Sequence, residues 1–372
     1  MTGTPPAALG ERRDILVYRD RIGVPSEIAF CRRQYLGFRS LRPVWIGRTL
    51  LPGADQISPS LIRIGGIHGI MFRHFGAAPA LNFSRFVPVV HAQFARGGAL
   101  ALPLVRAMDA KLVVTLHGGD VGKDKNWRHT LLSRRWPEVI ARTYRFVCVS
   151  HAVAETAVRR GVTEQKLTVV PIGVEVPASP PGLARDDTLL FAGRFVEKKG
   201  ITVLADAVRL LRARGDMTKL VCAGDGPLRN VLERLAHDVS GVELTGWLPA
   251  PMLAARMATA LALVVPSIVA EDGDAEGLPS VVPEAMAMGC VVIGTNDGGI
   301  AEAVTDASTG LLVPPGDAEA LAAAMHRLHS DPGLAARLTD AAFRAAAERF
   351  NAYRQSEALE AILLAAAGQA SP

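Results

Sequence analysis

The 372-residue sequence has few of the features that mark special classes of protein. Its four cysteines lie far apart with no CxxC pair, which favours free thiols in a reducing compartment. No run of about eighteen apolar residues is present, so a membrane-spanning helix is not predicted. The first ten residues lack the basic start and apolar core of a secretory signal, and a cytoplasmic location is therefore expected.

Two further absences narrow the function. Aromatic residues make up only 5% of the chain, and no compact basic run is interleaved with aromatics, so nucleic-acid binding is not predicted. The GxGxxG fingerprint is missing, which argues against a nicotinamide dehydrogenase. Asp272-Gly-Asp274 comes close to a DxD run but does not stand at a clear strand end. We therefore expect no metal ion and no cofactor.

Charge is divided unevenly along the chain. Residues 1–182 contain 25 Lys and Arg against 12 Asp and Glu, a charge of +13, whereas residues 183–372 contain 16 against 24, a charge of −8. A basic first half suits an anionic partner such as a phospholipid surface, a lipid pyrophosphate or an acidic glycan. An Arg-rich composition of no functional meaning is the alternative.

The apolar runs predict an α/β protein with two parallel sheets. Thirteen short runs alternate with longer helical patterns and mostly lack polar alternation, as expected of parallel strands buried on both faces. A Pro-rich break at residues 174–182 is the best candidate for a linker between two halves. The strand candidates are residues 15–18, 43–46, 61–64, 87–90, 112–116, 146–149, 167–170, 188–192, 219–223, 242–245, 261–265, 291–294 and 310–313.

The most informative run is Glu276-Gly-Leu-Pro-Ser-Val-Val-Pro-Glu284. Glu276 is expected in a loop and Glu284 on a helix. If one helix ran through both, the two carboxylates would lie about 12 Å apart on roughly the same side. That separation is too large for a dyad sharing one proton, but it suits a clamp on two ends of a polyhydroxyl ligand.

A phosphate site is predicted where the strand at 188–192 runs into Gly193-Arg-Phe-Val-Glu-Lys-Lys-Gly200. In a doubly wound fold, ligands bind at the carboxyl ends of strands, near the starts of helices. Arg194 and Lys199 supply the cations, and Lys198 is expected to be solvated. An ordinary charged surface turn is the alternative reading.

Other strand ends carry further candidates. Gly226 lies in Ala223-Gly-Asp-Gly-Pro-Leu-Arg229, which forms either a turn against a nucleotide base or a purely structural turn. Gly298 and Gly299 would allow a close approach of the backbone to a ligand. His117 ends a strand in a Gly-rich loop and can face a cleft, although a lone His is more often structural. His91 and His151 are weaker candidates of the same kind.

Together these motifs resemble the retaining, nucleotide-sugar-dependent glycosyltransferases of the group-1 (family four) type. The resemblance covers Ile15 to about Phe350 and rests on four runs in the order typical of that family. Softer similarity, in the GDAEGLP run and the Ser26-Glu27 loop with Arg32-Arg33-Gln34, is to bacterial exopolysaccharide and colanic-acid-type transferases. The four runs are FAGRFVEKKG at 191–200, AGDGPLR at 223–229, the E-x7-E run with EAMAMG from Glu284, and GGIAE at 298–302.

The resemblance implies a GT-B fold, in which two Rossmann-like doubly wound domains face a central cleft. An acceptor-binding domain would span residues 1–178 and a donor-binding domain residues 183–350. A C-terminal helix at about 351–372 would pack back on the first domain.

The resemblance also implies residue roles. Arg194 and Lys199 would hold the donor diphosphate, Glu276 the sugar hydroxyls and Glu284 the ribose. The backbone at Gly277 and Leu278 would approach the donor, as would the turn at Gly226, and His117 would lie near the transferred sugar. On the acceptor side the candidates are Gly23, Ser26, Glu27 and His91. This chain departs from the family pattern after the first strand, where Gly23 stands alone and many members carry a Gly-Gly pair.

The implied enzyme transfers a hexose, with retention, from a UDP- or GDP-sugar to a glycan or lipid-linked acceptor. The reaction would belong to bacterial polysaccharide biosynthesis and need no metal, and the enzyme would be cytoplasmic or peripheral on the inner face of the membrane. A GT-B epimerase or phosphorylase is the nearest alternative, although no pyridoxal-phosphate lysine is recognised. A catalytically silent binding subunit of a polysaccharide assembly complex is the other.

Overall fold

The computed structural model describes residues 12–24, 27–72, 86–123, 127, 130–182 and 184–368. Within these ranges the chain forms fifteen strands and fourteen α-helices, besides short 3-10 turns, arranged as two successive α/β halves. None of the helices in the described ranges is long and apolar enough to cross a membrane.

The first half contains nine strands and six helices. Its strands are β1 (Arg13–Tyr18), β2 (Arg21–Ile22), β3 (Leu41–Gly47), β4 (Thr49–Leu50), β5 (Leu61–Arg63), β6 (Phe86–Gln93), β7 (Lys111–Leu116), β8 (Thr143–Cys148) and β9 (Leu167–Val169). Its helices are α1 (Ile28–Arg33), α2 (Gly66–Ile70), α3 (Ala95–Ala107), α4 (Gly119–Gly122), α5 (Leu131–Arg142) and α6 (His151–Arg159).

The second half contains six strands and eight helices. Its strands are β10 (Thr188–Ala192), β11 (Lys219–Ala223), β12 (Val242–Gly246), β13 (Ala262–Val265), β14 (Val291–Thr295) and β15 (Gly310–Val313). Its helices are α7 (Ile201–Ala213), α8 (Arg229–Asp238), α9 (Ala250–Thr259), α10 (Val281–Ala287), α11 (Gly298–Ala303), α12 (Ala318–Ser330), α13 (Pro332–Arg349) and α14 (Ala352–Ala366).

Each half is built on one parallel sheet whose strand order reverses near its middle. The first sheet has the order β5-β3-β1-β6-β7-β8-β9, and the second has the order β12-β11-β10-β13-β14-β15. In the first sheet the reversal lies between β1 and β6, and in the second between β10 and β13. Loops that leave the carboxyl ends of strands at such a reversal form a crevice where doubly wound folds bind ligands.

The apolar runs form these strands because both faces of each sheet are covered by helices. Central strands such as β7 and β14 are almost entirely buried. All thirteen predicted strands are present, with bounds that differ from the prediction by a few residues at most. The sequence analysis missed β2 and β4, a two-residue parallel pair too short to produce a pattern.

The last helix, α14, lies against the first half of the chain although it follows the second in sequence. The chain crosses back at Asn351, where Val174 and Asn351 form an isolated bridge. Leu359 and Leu363 of α14 join the apolar core beneath the first sheet. The α14 side chain Glu360 is buried, and its carboxylate accepts the backbone N–H groups of Arg39, Ser40 and Leu41 at 2.8 to 3.1 Å.

We expect Glu360→Ala to lower the free energy of unfolding by about 2–5 kcal/mol, because buried N–H donors lose a charged acceptor. The urea denaturation midpoint measures the loss. Glu357→Ala is the matched control on the same helix, since Glu357 pairs with Arg39 only at the exposed surface, and a change within about 0.5 kcal/mol is expected there. Equal losses in the two variants would contradict this account of how α14 is held.

Candidate functional site

Two turns flank the strand-order reversal of the second sheet. One follows β10 and spans residues 193–200, and the other follows β13 and leads to α10. The two turns are in backbone contact, because Ile268 N–H donates to the Lys198 carbonyl at 2.9 Å. Gly200 has φ +65°, and a Cβ there would clash with the Pro266 carbonyl, so this position requires glycine.

Charged side chains from both turns meet at this reversal. Lys199 Nζ lies 3.2 Å from Glu276 Oε1, and Lys198 Nζ lies 3.5 Å from the same oxygen. Lys198 also pairs with Asp274 at 3.2 Å, and Asp274 pairs with Lys123 of the first half at 2.6 Å. The expectation that Lys198 is solvated is therefore wrong: its side chain is only 13% exposed, because Asp274 and Glu276 draw it inward.

Arg194 differs from the two lysines. It is exposed, and its side chain has no hydrogen bond or ion pair with any residue in the described ranges. Burial raises the pKa of Glu276, but the charges of Lys199 and Lys198 outweigh it, and the pKa lies below its usual value. Glu276 is therefore an anion at neutral pH, and Arg194 is a cation that remains available to a ligand.

Glu276 and Glu284 do not share a continuous helix. Helix α10 begins only at Val281, so Glu276 lies in the preceding loop and Glu284 in the first turn of the helix. The Glu284 carboxylate accepts a hydrogen bond from Arg33 Nη2 at 2.5 Å, and Arg33 belongs to the first half of the chain.

The turn at Gly226 packs on the turn at 193–200. Phe195 N–H donates to the Asp225 carbonyl at 2.8 Å, and Leu228 N–H donates to the Phe195 carbonyl at 2.9 Å. Gly226 has φ +156°, and a Cβ there would lie 2.6 Å from the Phe195 carbonyl oxygen. This contact explains why the position requires glycine, and the explanation does not involve a ligand.

The loop that carries Glu276 also touches the first half directly. A Cβ on Gly277 would clash with the His117 carbonyl, and one on Gly118 would lie 2.6 Å from the Gly277 nitrogen. Ser150 Oγ donates to the Gly277 carbonyl at 2.9 Å. Leu278 packs against core residues of both halves.

The predicted close approach at Gly299 is present, but the group approached is protein. A Cβ on Gly299 would clash with the Gly277 carbonyl. On the same helix, α11, the Glu302 carboxylate accepts the backbone N–H groups of His151 and Ala152, each at 2.7 Å. His151 therefore contributes its backbone to an interface between the two halves.

His117 stands at the carboxyl end of β7, and a hydrogen-bond network fixes its ring. Its Nε2 lies 2.9 Å from Gln93 Oε1, and the Gln93 amide NH₂ lies 2.8 Å from both Gln34 Oε1 and Tyr35 Oη. Because that NH₂ donates to these two oxygens, Gln93 Oε1 accepts, and His117 carries its proton on Nε2. Nδ1 is then the acceptor nitrogen.

Of the four acceptor-side candidates, one lies outside the described residues, namely Ser26. Gly23 is buried with φ +92°, and a Cβ there would lie 2.8 Å from the Leu51 carbonyl oxygen. The fold itself therefore requires glycine at this position. Glu27 precedes α1 and holds Arg19 in a two-point ion pair at 2.6 and 2.9 Å.

His91, the fourth candidate, lies inside the sheet. It is fully buried, and its ring nitrogens lie 2.7 Å from Tyr35 Oη and 2.7 Å from Thr115 Oγ1. Both ring nitrogens thus bond within the protein, so the imidazole supports the His117 network and does not itself meet a ligand.

Sequence reasoning missed three residues around His117. Phe94 packs its ring 4.3 Å from the imidazole, and the Arg19 guanidinium lies 4.3 Å above the Phe94 ring. Phe94 has φ +69°, a costly backbone conformation for a non-glycine residue that is often found at functional sites. Asp120 accepts the backbone N–H of His117 at 2.9 Å, and an Asp shortly after a strand end was the one signal that could have revealed it.

Both network imidazoles are neutral at physiological pH. Burial lowers the pKa of His91 to about 3. Burial, with smaller contributions from Arg19 and His91, lowers the pKa of His117 to about 3. The unfolded chain takes up a proton on each ring below about pH 6.5, whereas the folded chain does not until about pH 3, so stability decreases as pH falls through that interval.

Each imidazole should account for about 2 kcal/mol of the stability lost between pH 7 and pH 5. We expect His91→Gln to reduce that pH-dependent loss by about this amount, whatever its effect on stability at pH 7. Chemical denaturation at the two pH values measures it. His237→Gln is the control, since its side chain is 88% exposed, and should match the wild type. An unchanged pH dependence in His91→Gln would show that His91 is not held neutral.

Within the described ranges, no group of three or more His, Cys, Asp or Glu residues is placed to hold a metal ion.

Comparison with known proteins gives one family match for each half of the chain. Residues 63–176 match the family model described as "Glycosyltransferase Family 4", and residues 186–331 match that described as "Glycosyl transferases group 1". The two matches lie on the first and second halves respectively.

Relatives and solved structures are similar over most of the chain. The amylovoran biosynthesis glycosyltransferase AmsK of Erwinia amylovora is 29% identical over 296 residues, which are 73% of this chain and 71% of that protein. WcaL of Salmonella typhimurium, named for colanic acid biosynthesis, is 30% identical over 245 residues, which are 62% of this chain and 59% of that protein.

The fold is shared with Alr3699/HepE of Anabaena, solved in complex with UDP and glucose. The TM-score is 0.74 at 18% identity, covering 94% of this chain and 98% of that one. The predicted family and fold are confirmed: the chain belongs to the group 1 and family 4 glycosyltransferases and has the GT-B fold.

Proposed function

We propose that this glycosyltransferase moves a hexose, with retention of configuration, from a UDP- or GDP-sugar to a glycan or lipid-linked acceptor, without a metal ion or cofactor. The observation that carries the proposal is the meeting of Lys199 and Glu276 at the strand-order reversal of the second sheet, with Arg194 exposed beside them. Cations beside a carboxylate at such a reversal suit a ligand with a diphosphate at one end and hydroxyl groups at the other.

The leaving group is a nucleoside diphosphate, and its departure builds negative charge on a phosphate oxygen. Arg194 and Lys199 would stabilise that charge most as the bond to the sugar breaks. Glu276 would accept hydrogen bonds from sugar hydroxyls, and Glu284 from the ribose. The Gly277 backbone, which lies against His117, would bring the donor sugar beside the first half.

For retention, the acceptor oxygen would bond to the anomeric carbon on the face that the diphosphate leaves, and the acceptor proton would pass to a diphosphate oxygen. The neutral form of the His117 imidazole supports transfer of the acceptor proton to the diphosphate. With a pKa of about 3, the imidazole is a poor base at neutral pH, so the acceptor proton needs another recipient. Neutral Nδ1 would instead accept a hydrogen bond from a sugar hydroxyl.

We place the acceptor against the first half, next to an anionic membrane. Helix α2 begins at the carboxyl end of edge strand β5, which is the same edge of the sheet as the His117 loop. It exposes two large apolar side chains, Ile67 (71%) and Ile70 (57%), and Met71, the residue that follows the helix, is also exposed (40%). In a half whose charge is +13, an apolar tip suits a bilayer with anionic headgroups.

The proposed setting is bacterial exopolysaccharide biosynthesis, supported by similarity to AmsK and WcaL. We propose that the enzyme acts in the cytoplasm. Product analysis with an acceptor present separates transfer from epimerisation of the donor. A binding subunit without activity would show neither product.

We expect Lys199→Ala to reduce sugar transfer by about 10²–10³-fold, because a cation is removed from the developing phosphate charge. A thermal-shift panel of UDP- and GDP-hexoses first identifies the donor, and release of the nucleoside diphosphate then measures the rate. Lys219→Ala is the matched control, since Lys219 is exposed at the opposite end of the same sheet. Normal turnover in Lys199→Ala would remove the phosphate assignment.

Membrane docking is tested by flotation with vesicles. The variant Ile67→Ser with Ile70→Ser should lose about 10-fold or more of its binding to anionic vesicles, because two apolar side chains no longer leave water on binding. Met252→Ser is the control, because Met252 is 55% exposed on α9 of the second half and should bind like the wild type. Equal wild-type binding to neutral and anionic vesicles would contradict the charge-based part of the proposal.

A further inference from the structure

The carboxylate assigned to the ribose is held by a residue from the other half of the chain. Arg33 lies in the last turn of α1, and its Nη2 donates to Glu284 Oε1 at 2.5 Å. The two residues are 251 positions apart, and α10 presents Glu284 from its first turn. This ion pair therefore joins the first half to the donor side of the cleft.

The pair is shielded from water, unlike its neighbour on the same helix. The side chains of Arg33 and Glu284 are 10% and 21% exposed, whereas those of the adjacent pair, Arg32 and Glu175, are 55% and 54% exposed. An ion pair with little solvent contact is weakly screened, and loss of one partner leaves the other as a poorly solvated charge. Arg33 should therefore influence Glu284 far more than Arg32 influences Glu175.

The contact uses only one carboxylate oxygen. Glu284 Oε1 accepts from Arg33, and Oε2 has no hydrogen-bond partner among the described residues. A carboxylate has about four acceptor positions, so a bond at Oε1 fixes its orientation and leaves Oε2 for a ligand hydroxyl. Arg33 Nε is itself buried without a hydrogen-bond partner among those residues, so Glu284 is the polar group that the guanidinium contacts.

We propose that Arg33 is a positioning residue for nucleotide recognition: it orients Glu284 so that the carboxylate accepts a hydrogen bond from the donor ribose. The inference rests on the proposed ribose role of Glu284. It differs from a competitive arrangement, in which Arg33 would occupy Glu284 and have to leave before the ribose binds. The two arrangements predict opposite changes in affinity when Arg33 is replaced.

The test compares a nucleoside diphosphate with its 2′,3′-dideoxy form by calorimetry, using whichever of UDP and GDP binds the wild type. The wild type should prefer the ribose form by about 10-fold or more, the effect of a hydrogen bond to a charged group. Arg33→Met should weaken binding of the ribose form by about 10-fold and bring the preference close to one. Arg33→Lys, which keeps the charge on a shorter side chain, should fall between. Arg32→Met is the matched control and should keep the wild-type preference.

Each other outcome overturns the proposal in a distinguishable way. Tighter nucleotide binding by Arg33→Met would show that Arg33 competes with the ribose. Equal loss of affinity for both nucleotides, with an unchanged preference, would show a general structural role. If the wild type binds the nucleotide without preferring the ribose form, Glu284 does not bind the ribose. The proposal that the protein binds a nucleotide-sugar donor would still stand. A wild type that binds neither UDP nor GDP would overturn the proposed function as well. If Arg33→Met does not fold, Arg33→Lys carries the same comparison.

Discussion

The arrangement of this site depends on a backbone contact between the two halves, at Gly277. The loop after β13 passes so close to the end of β7 that a Cβ on Gly277 would clash with the His117 carbonyl, while the Gly277 carbonyl accepts from Ser150. Because Gly277 directly follows Glu276, the contact sets that carboxylate against the first half. The Gly277 carbonyl also lies so close to Gly299 that a Cβ there would clash with it, so the same contact positions α11. Any side chain at Gly277 would separate the groups proposed to surround the donor sugar.

Charge balance within this loop constrains how an anionic donor could enter. The ammonium groups of Lys123, Lys198 and Lys199 face the carboxylates of Asp274 and Glu276, so every lysine of this cluster is already paired, although three cations against two anions leave a net charge of +1. A diphosphate would have to draw Lys199 partly away from Glu276, which frees an oxygen of that carboxylate for a sugar hydroxyl. Donor binding would then exchange the ion pair between Lys199 and Glu276 for charge-assisted hydrogen bonds to the ligand. Arg194, which makes no such pair within the described ranges, is the cation that could act first.

Patterns that depend on local chemistry were readable from the sequence. Buried parallel strands require apolar runs, and glycine marks turns at their carboxyl ends, so both sheets and the turn at residues 193–200 were predicted. The pair between Arg33 and Glu284 was not, because its partners are 251 residues apart and only the packed fold brings α1 against α10. His91 and Lys198 were misjudged for a related reason. The residues next to His91 in sequence do not reveal that Tyr35 and Thr115 hydrogen-bond its ring. Those next to Lys198 do not reveal that Asp274 pairs with its ammonium group.

The direction of the hydrogen bonds around His117 determines whether its ring can bind a sugar hydroxyl or a phosphate oxygen. The Gln93 amide donates to Gln34 and Tyr35, so its oxygen must accept from His117, and the imidazole presents Nδ1 as a neutral acceptor. A phosphate oxygen carries no proton to donate and would be repelled by that lone pair, whereas a hydroxyl can donate to it. Under the proposed function, the first half would recognise a sugar hydroxyl through His117, and diphosphate binding would fall to the cations of the second half. This division requires His117 to stay uncharged, which its burial ensures by lowering its pKa to about 3.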